Sequence, residues 1–91
     1  MEKKRKIIAI INPISGTSNK EYVPQTISET IDNDKFDVII RFTKSAGHAT
    51  DLAKKAIQEK FYAVLAVGGD GTVNEIASAL RDSDTALGMI G

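Results

Sequence analysis

Ninety-one residues, 42% of them apolar, suffice for one modest core and at most one domain. Twelve basic and twelve acidic side chains cancel, so no net field points to nucleic acid or an anionic membrane, and aromatics at 5% with no Trp argue against a base-stacking surface. The absence of cysteine removes disulfides, thiolate metal sites and cysteine nucleophiles together.

The chain opens on the basic run Lys3 to Lys6, followed by only the short apolar stretch Ile7 to Ile11. A secretory core needs about 7–15 apolar residues and a membrane span about 18 or more, so the chain reads as cytoplasmic. The basic run offers a contact for lipid headgroups, which would make the protein peripheral to the membrane; a solvated lead-in to the first strand is the plainer account. Arg5 to Ile11 is β-branched and apolar on both faces, as a buried parallel strand is, and Asn12-Pro13 ends it. A helix is expected to begin near Val23, with Pro24 in its first turn and Ile27 and Ile31 facing inward.

After the turn-forming Asp32-Asn33-Asp34, Phe36 to Phe42 forms the second strand. Ala49, Leu52, Ala53, Ala56 and Ile57 then follow the spacing of one helix face, with Lys54, Lys55 and Glu59 on the other. Tyr62 to Val67 is a third strand, stopped by Gly68-Gly69. Val73, Ile76, Ala77 and Leu80 repeat the helical pattern, and Ala86 to Ile90 is a fourth strand after Asp82-Ser83-Asp84. Strands alternating with helices imply a three-layer α/β/α fold around a parallel sheet of four strands. Strand order is not readable, although strands one and three are favoured as neighbours because their following loops look built to meet at one ligand. The fourth strand has nothing after it to cover its edge, so the chain is expected to be a fragment that self-associates through that edge.

In open parallel sheets ligands bind outside the carboxyl ends of the strands, and two such ends here are rich in glycine and polar groups. In Asn12-Pro13-Ile14-Ser15-Gly16, Pro13 stiffens the turn and Gly16 permits a positive φ, so that backbone N–H groups and the Ser15 hydroxyl can cradle a phosphate. Alone, this segment reads more simply as a plain turn. The second loop, Gly68-Gly69-Asp70-Gly71-Thr72-Val73-Asn74-Glu75, leads into a helix whose first N–H groups and dipole face an anion. An aspartate there would repel phosphate unless a cation lay between them, so Asp70 reads as a partner of Mg²⁺-phosphate or as a group polarising the transfer site. Thr72 to Glu75 also spells a capping box, in which Thr72 caps the Glu75 amide and Glu75 bonds back, and this accounts for both residues without a ligand. Gly68, Gly69 and Asp70 have no such account and favour a functional loop.

At these residues the sequence resembles the catalytic domain of the diacylglycerol kinase superfamily, which includes sphingosine, ceramide and bacterial lipid kinases. Gly-Gly-Asp-Gly-Thr followed by Val-Asn-Glu is similar to its signature loop. Asn12 to Gly16 is similar to its Asn-Pro-x-Ser-Gly opening, and Thr43-Lys44-Ser45-Ala46-Gly47-His48-Ala49 to its Thr-x-x-x-Gly-His-Ala element. The resemblance implies the fold of the NAD kinase/diacylglycerol kinase-like domains. It implies an ATP site built from Asn12, Pro13, Ile14, Ser15, Gly16, Thr43 and Gly69 through Asp70, Gly71, Thr72, Val73 and Asn74 to Glu75. Asp70 would be the catalytic and Mg²⁺-binding acid nearest the transferred group, and the γ-phosphoryl of ATP would pass to a lipid hydroxyl.

The resemblance also implies a Gly-Thr-x-Asn-Asp loop and a β-rich second domain with the lipid pocket, neither present in residues 1–91. The chain is therefore expected to be the nucleotide-binding part alone, inactive by itself, with a lipid alcohol at the membrane surface bound by the absent domain and no nucleic acid partner. His48 reads as a packing or supporting hydrogen-bond residue, since no partner acid is suggested for it. An NAD kinase-like phosphotransferase remains an alternative because it shares Gly-Gly-Asp-Gly-Thr; the Asn-Pro-x-Ser-Gly opening and Asn74-Glu75 count against it. A non-catalytic nucleotide-binding module is a further alternative. A dinucleotide-binding Rossmann site is set aside, because the loop after Ile11 has only Gly16.

Overall fold

The computed structural model describes residues 4–12, 27, 29, 31–45, 47–68 and 70–90, with the backbone alone at Asp70, Met89 and Ile90. Its elements are β1 (Arg5–Ile11), β2 (Phe36–Phe42), α1 (His48–Gln58), β3 (Ala63–Val67), α2 (Asp70–Leu80) and β4 (Ala86–Ile90). The strands form one parallel sheet in the order β2-β1-β3-β4, so β1 and β3 are neighbours as expected. Tyr62 falls just outside β3: its side chain is 45% exposed, although its N–H bonds the Lys6 carbonyl at 2.8 Å.

The pleat of β1 explains the layering. Ile8 and Ile10 point to one face and pack with Val64, Ala66, the α1 residues Ala49, Ala53 and Ala56, and Ile76 and Leu80 of α2. Ala9 and Ile11 point to the other face and pack with Val67 and Ile27. Ile27 and Glu29 are helical, and the Ile31 N–H bonds the Ile27 carbonyl at 3.0 Å, so helical residues lie on this second face at the expected inward positions. Helical residues thus flank the sheet on both faces. The expected start of that helix, near Val23 and Pro24, lies outside the described residues.

Small residues let α1 come close to the sheet, because three alanines occupy its buried stripe. The helix ends in a Schellman motif. Phe61 N–H reaches the Ala56 carbonyl at 2.9 Å and Lys60 N–H the Ile57 carbonyl at 3.1 Å, with Lys60 at φ 59°. That reversal turns Phe61 back into the core against Ala56. Among the described residues, no helix is long and apolar enough to cross a membrane.

Ile27, which follows β1 in sequence, lies on one face of the sheet, and α2, which follows β3, lies on the opposite face. Adjacent parallel strands whose connections diverge in this way open a crevice at their carboxyl ends.

Candidate functional site

The crevice is held by hydrogen bonds among its own walls. Asn12 N–H donates to the Val67 carbonyl at 2.9 Å, and Thr43 N–H donates to the Ile11 carbonyl at 2.8 Å, so the ends of β1, β2 and β3 form one continuous rim. From that rim Asn12 Nδ2 donates to Thr72 Oγ1 at 3.2 Å, joining the first motif to the third across sixty positions of sequence. Gly68 makes this possible. A Cβ there would lie 3.0 Å from Thr72 Oγ1 and 3.2 Å from the Asn12 Cβ, so any side chain would push those two residues apart.

The helix begins earlier than the capping box predicts. Asp70 is already helical, which places Thr72 inside the first turn, and its side chain is buried at 5% exposure with its hydroxyl turned to Asn12. Glu75 does not fold back to cap the helix either. Its Oε1 accepts from Gly47 N–H at 2.9 Å, tying α2 to the second motif. Contacts between segments distant in sequence override the local four-residue rule here.

The second motif is itself a closed loop. Gly47 adopts φ 84°, a left-handed conformation that disfavours any side chain, and it precedes α1 as the residue flanking its first turn. Lys44 N–H donates to His48 Nδ1 at 3.0 Å, and His48 N–H donates to the Ser45 carbonyl at 3.2 Å. His48 therefore acts as a hydrogen-bond acceptor that orders the loop, in keeping with the supporting role expected for it. With Nδ1 accepting, the neutral ring carries its hydrogen on Nε2.

These walls enclose an open cleft of about 430 Å³ lined by Asn12, Thr43, Lys44, Ser45, Gly71, Thr72 and Glu75. Five of the residues expected at an ATP site, Asn12, Thr43, Gly71, Thr72 and Glu75, thus come together although the sequence scatters them. Val73 instead packs against the core, and Asn74 is exposed and does not line the cleft. Pro13, Ile14, Ser15, Gly16 and Gly69 lie outside the described residues, and for Asp70 only the backbone is described. Lys44 and Ser45 are cleft residues that motif matching passed over. The available signal was their place between Thr43 and a glycine with φ > 0, on a loop at a strand's carboxyl end.

Chemically the cleft suits a polyanion. Hydroxyls of Thr43, Ser45 and Thr72 surround it, the amino-terminal turn of α2 opens onto it, and Lys44 is the one cation and Glu75 the one anion among its described lining residues. Among the described residues no group of three or more His, Cys, Asp or Glu is placed to hold a metal.

The model of the diacylglycerol kinase catalytic domain matches residues 6–91. The chain is 34% identical over 84 residues to a diacylglycerol kinase of Bacillus subtilis (strain 168), covering 89% of this chain and 27% of that protein. It is 35% identical over 80 residues to a ceramide kinase of Arabidopsis thaliana, covering 84% of this chain and 13% of that one. Its fold is similar to the crystal structure of a diacylglycerol kinase from Bacillus anthracis str. Sterne, with a TM-score of 0.73 and 26% identity over 99% of this chain and 34% of that chain. The chain thus spans about a third or less of the length of these relatives.

Proposed function

The chain belongs to the diacylglycerol kinase catalytic domain family, and from that premise we propose that it forms the ATP-binding part of a lipid kinase, which transfers the γ-phosphoryl group of ATP to a lipid hydroxyl. The observation that carries this reading is the convergence of the three motifs on one cleft at the carboxyl ends of β1, β2 and β3, fastened by the Asn12–Thr72 and Gly47–Glu75 hydrogen bonds. The names of the relatives, diacylglycerol kinase and ceramide kinase, favour a lipid alcohol over NAD as the acceptor.

In this reading Asn12, Thr43, Gly71 and Thr72 hold the nucleotide together with Pro13 to Gly16 and Gly69, and Lys44 and Ser45 join them. Asp70 is the acid of the transfer site. Asp70 would hold Mg²⁺, which would supply positive charge to offset that of the phosphates. The protein's own contribution is to fix the phosphates by backbone N–H groups and hydroxyls and to keep the α2 dipole aimed at them, since phosphoryl transfer depends on positioning and electrostatics. Val73 contributes through the core, by holding α2 on the sheet. The acceptor would be presented at a membrane surface by a part of the protein beyond residues 1–91. In the isolated fragment, the edge strand β4, where Leu87 is 38% exposed, would be the place at which copies associate.

Titration of Mg²⁺-ATP into the isotopically labelled whole protein tests the reading. The amides of Asn12, Thr43 to Ser45 and Gly68 to Thr72 are expected to shift together. Asp70→Asn is expected to remove the Mg²⁺-dependent part of the shifts and to lower lipid phosphorylation by about 100-fold or more, the scale of one essential electrostatic group. Silence of all these amides at millimolar nucleotide would end the kinase reading.

A further inference from the structure

Glu75 belongs by sequence to the signature loop, and the resemblance assigns it to the ATP site. Its geometry assigns it a different task. The carboxylate accepts from Gly47 N–H at 2.9 Å, twenty-eight positions away, and Gly47 is the residue whose φ of 84° turns the Thr43–Ser45 loop into α1. The loop has fastenings at its other end too: Thr43 N–H to the Ile11 carbonyl at 2.8 Å, and Lys44 N–H to His48 Nδ1 at 3.0 Å. Only the Glu75 bond links the loop to α2 among these, and α2 is the helix whose first turn lines the cleft. Glu75 is therefore the hydrogen-bonded tie between the wall carrying Lys44 and the wall carrying Gly71 and Thr72, beside the packing of α1 on α2.

The charge of Glu75 makes the same point. A free carboxylate in a cleft for polyphosphate repels its ligand, whereas one engaged by a backbone N–H has part of that charge neutralised in a charge-assisted hydrogen bond. We propose that Glu75 is a positioning residue, not a nucleotide or metal ligand: it clamps the Thr43–Gly47 loop to α2 and so holds Lys44 and Ser45 at the correct reach for the phosphates. This rests on the ATP-site reading above for its functional half. The clamp itself stands or falls independently of it.

The experiment compares Glu75→Gln and Glu75→Ala in the whole protein by amide NMR, hydrogen exchange, thermal melting and Mg²⁺-ATP titration. Glutamine keeps an oxygen that can accept from Gly47 N–H, and alanine does not. In Glu75→Ala the Gly47 amide is expected to move upfield, Thr43 to Gly47 to exchange faster, and Mg²⁺-ATP to bind about tenfold more weakly, which is about 1.4 kcal/mol. Glu75→Gln is expected to restore the Gly47 amide and to bring affinity back to within about threefold of the parent, a neutral bond being weaker than a charge-assisted one. If glutamine loses affinity as fully as alanine while the Gly47 amide stays in place, the carboxylate touches the ligand or its metal directly, and the proposal fails. If alanine lowers only the melting temperature and leaves the Gly47 amide and the affinity unmoved, Glu75 serves the helix alone, and the proposal fails in that way. Should the parent not bind nucleotide at all, the ATP reading is the one overturned, and the Gly47 amide still decides whether the clamp exists.

Discussion

The two ends of the sheet are built on opposite plans. At the amino-terminal end the strands are sealed by large side chains: Phe61 is buried, Phe36 and Tyr62 have ring centroids 5.7 Å apart, and Arg5 and Lys6 lie over the Tyr62 and Phe61 rings at 4.8 and 5.9 Å. Thr85 Oγ1 adds a bond to the Phe61 carbonyl at 3.2 Å, and Ala86 N–H one to the Tyr62 carbonyl at 3.1 Å. At the carboxyl end no described aromatic lines the opening; hydroxyls, an amide, glycines and a helix start surround a cleft. One end is filled by bulky side chains and the other is left open by small and polar ones. The contrast teaches that rigidity at the cleft comes from hydrogen bonds between motifs, whereas rigidity at the far end comes from packing.

If that division is correct, substitutions at the two ends should separate stability from binding. Phe61→Ala should have the largest effect on folding, a loss of about 3–5 kcal/mol as for other buried aromatics, measured by denaturant unfolding. Where folded protein remains, its nucleotide affinity should stay close to that of the parent. Gly68→Ala comes next. The new methyl meets Thr72 Oγ1 at 3.0 Å, so about 1–3 kcal/mol of stability should go, accompanied by a fall of about tenfold or more in Mg²⁺-ATP affinity by calorimetry. Thr72→Val preserves shape and removes the hydroxyl that accepts from Asn12. A loss of about 1 kcal/mol in unfolding, with weaker nucleotide binding, is expected. Tyr62→Ala is the mildest, at about 0.5–1 kcal/mol for one exposed aromatic–cation contact, with no change in binding. A Tyr62→Ala protein with impaired nucleotide affinity, or a Gly68→Ala protein with full affinity, would break the comparison.

Much of this architecture was legible in the sequence, because parallel strands buried on both faces appear as continuous apolar runs. Ile7 to Ile11 and Ala63 to Val67 needed no tertiary information to be recognised, and the alanine spacing of α1 announced its buried face. The cleft was legible in outline, since Asn12, Thr43, Gly71 and Thr72 stood in motifs of the right chemistry. What escaped was every feature decided by a distant partner. The tetrapeptide Thr72 to Glu75 promises a cap, yet Asn12 and Gly47 claim both side chains from elsewhere in the chain. Lys44 and Ser45 have no motif character of their own and enter the cleft because Gly47 turns the backbone behind them. The aromatic and cationic seal of the far end was equally hidden, for Arg5 and Tyr62 become neighbours only when β1 pairs with β3.

The central place of β1 carries a consequence for how the protein is made. This strand is synthesised before both of its hydrogen-bonding partners, β2 starting at Phe36 and β3 at Ala63. Its run of isoleucines must therefore wait, unpaired, while the ribosome delivers the segments that shield it. Closing such long loops is slow because the entropy is lost before the contacts are gained. Asn12, at the end of that waiting strand, meets Thr72 only after the nascent chain has passed β3 and entered α2, so the mouth of the cleft assembles after β1, β2 and β3 have all been made. A pulse-labelling experiment during refolding should find Ile7 to Ile11 protected no earlier than Ala63 to Val67, and a chaperone that binds extended apolar segments would find its target in β1.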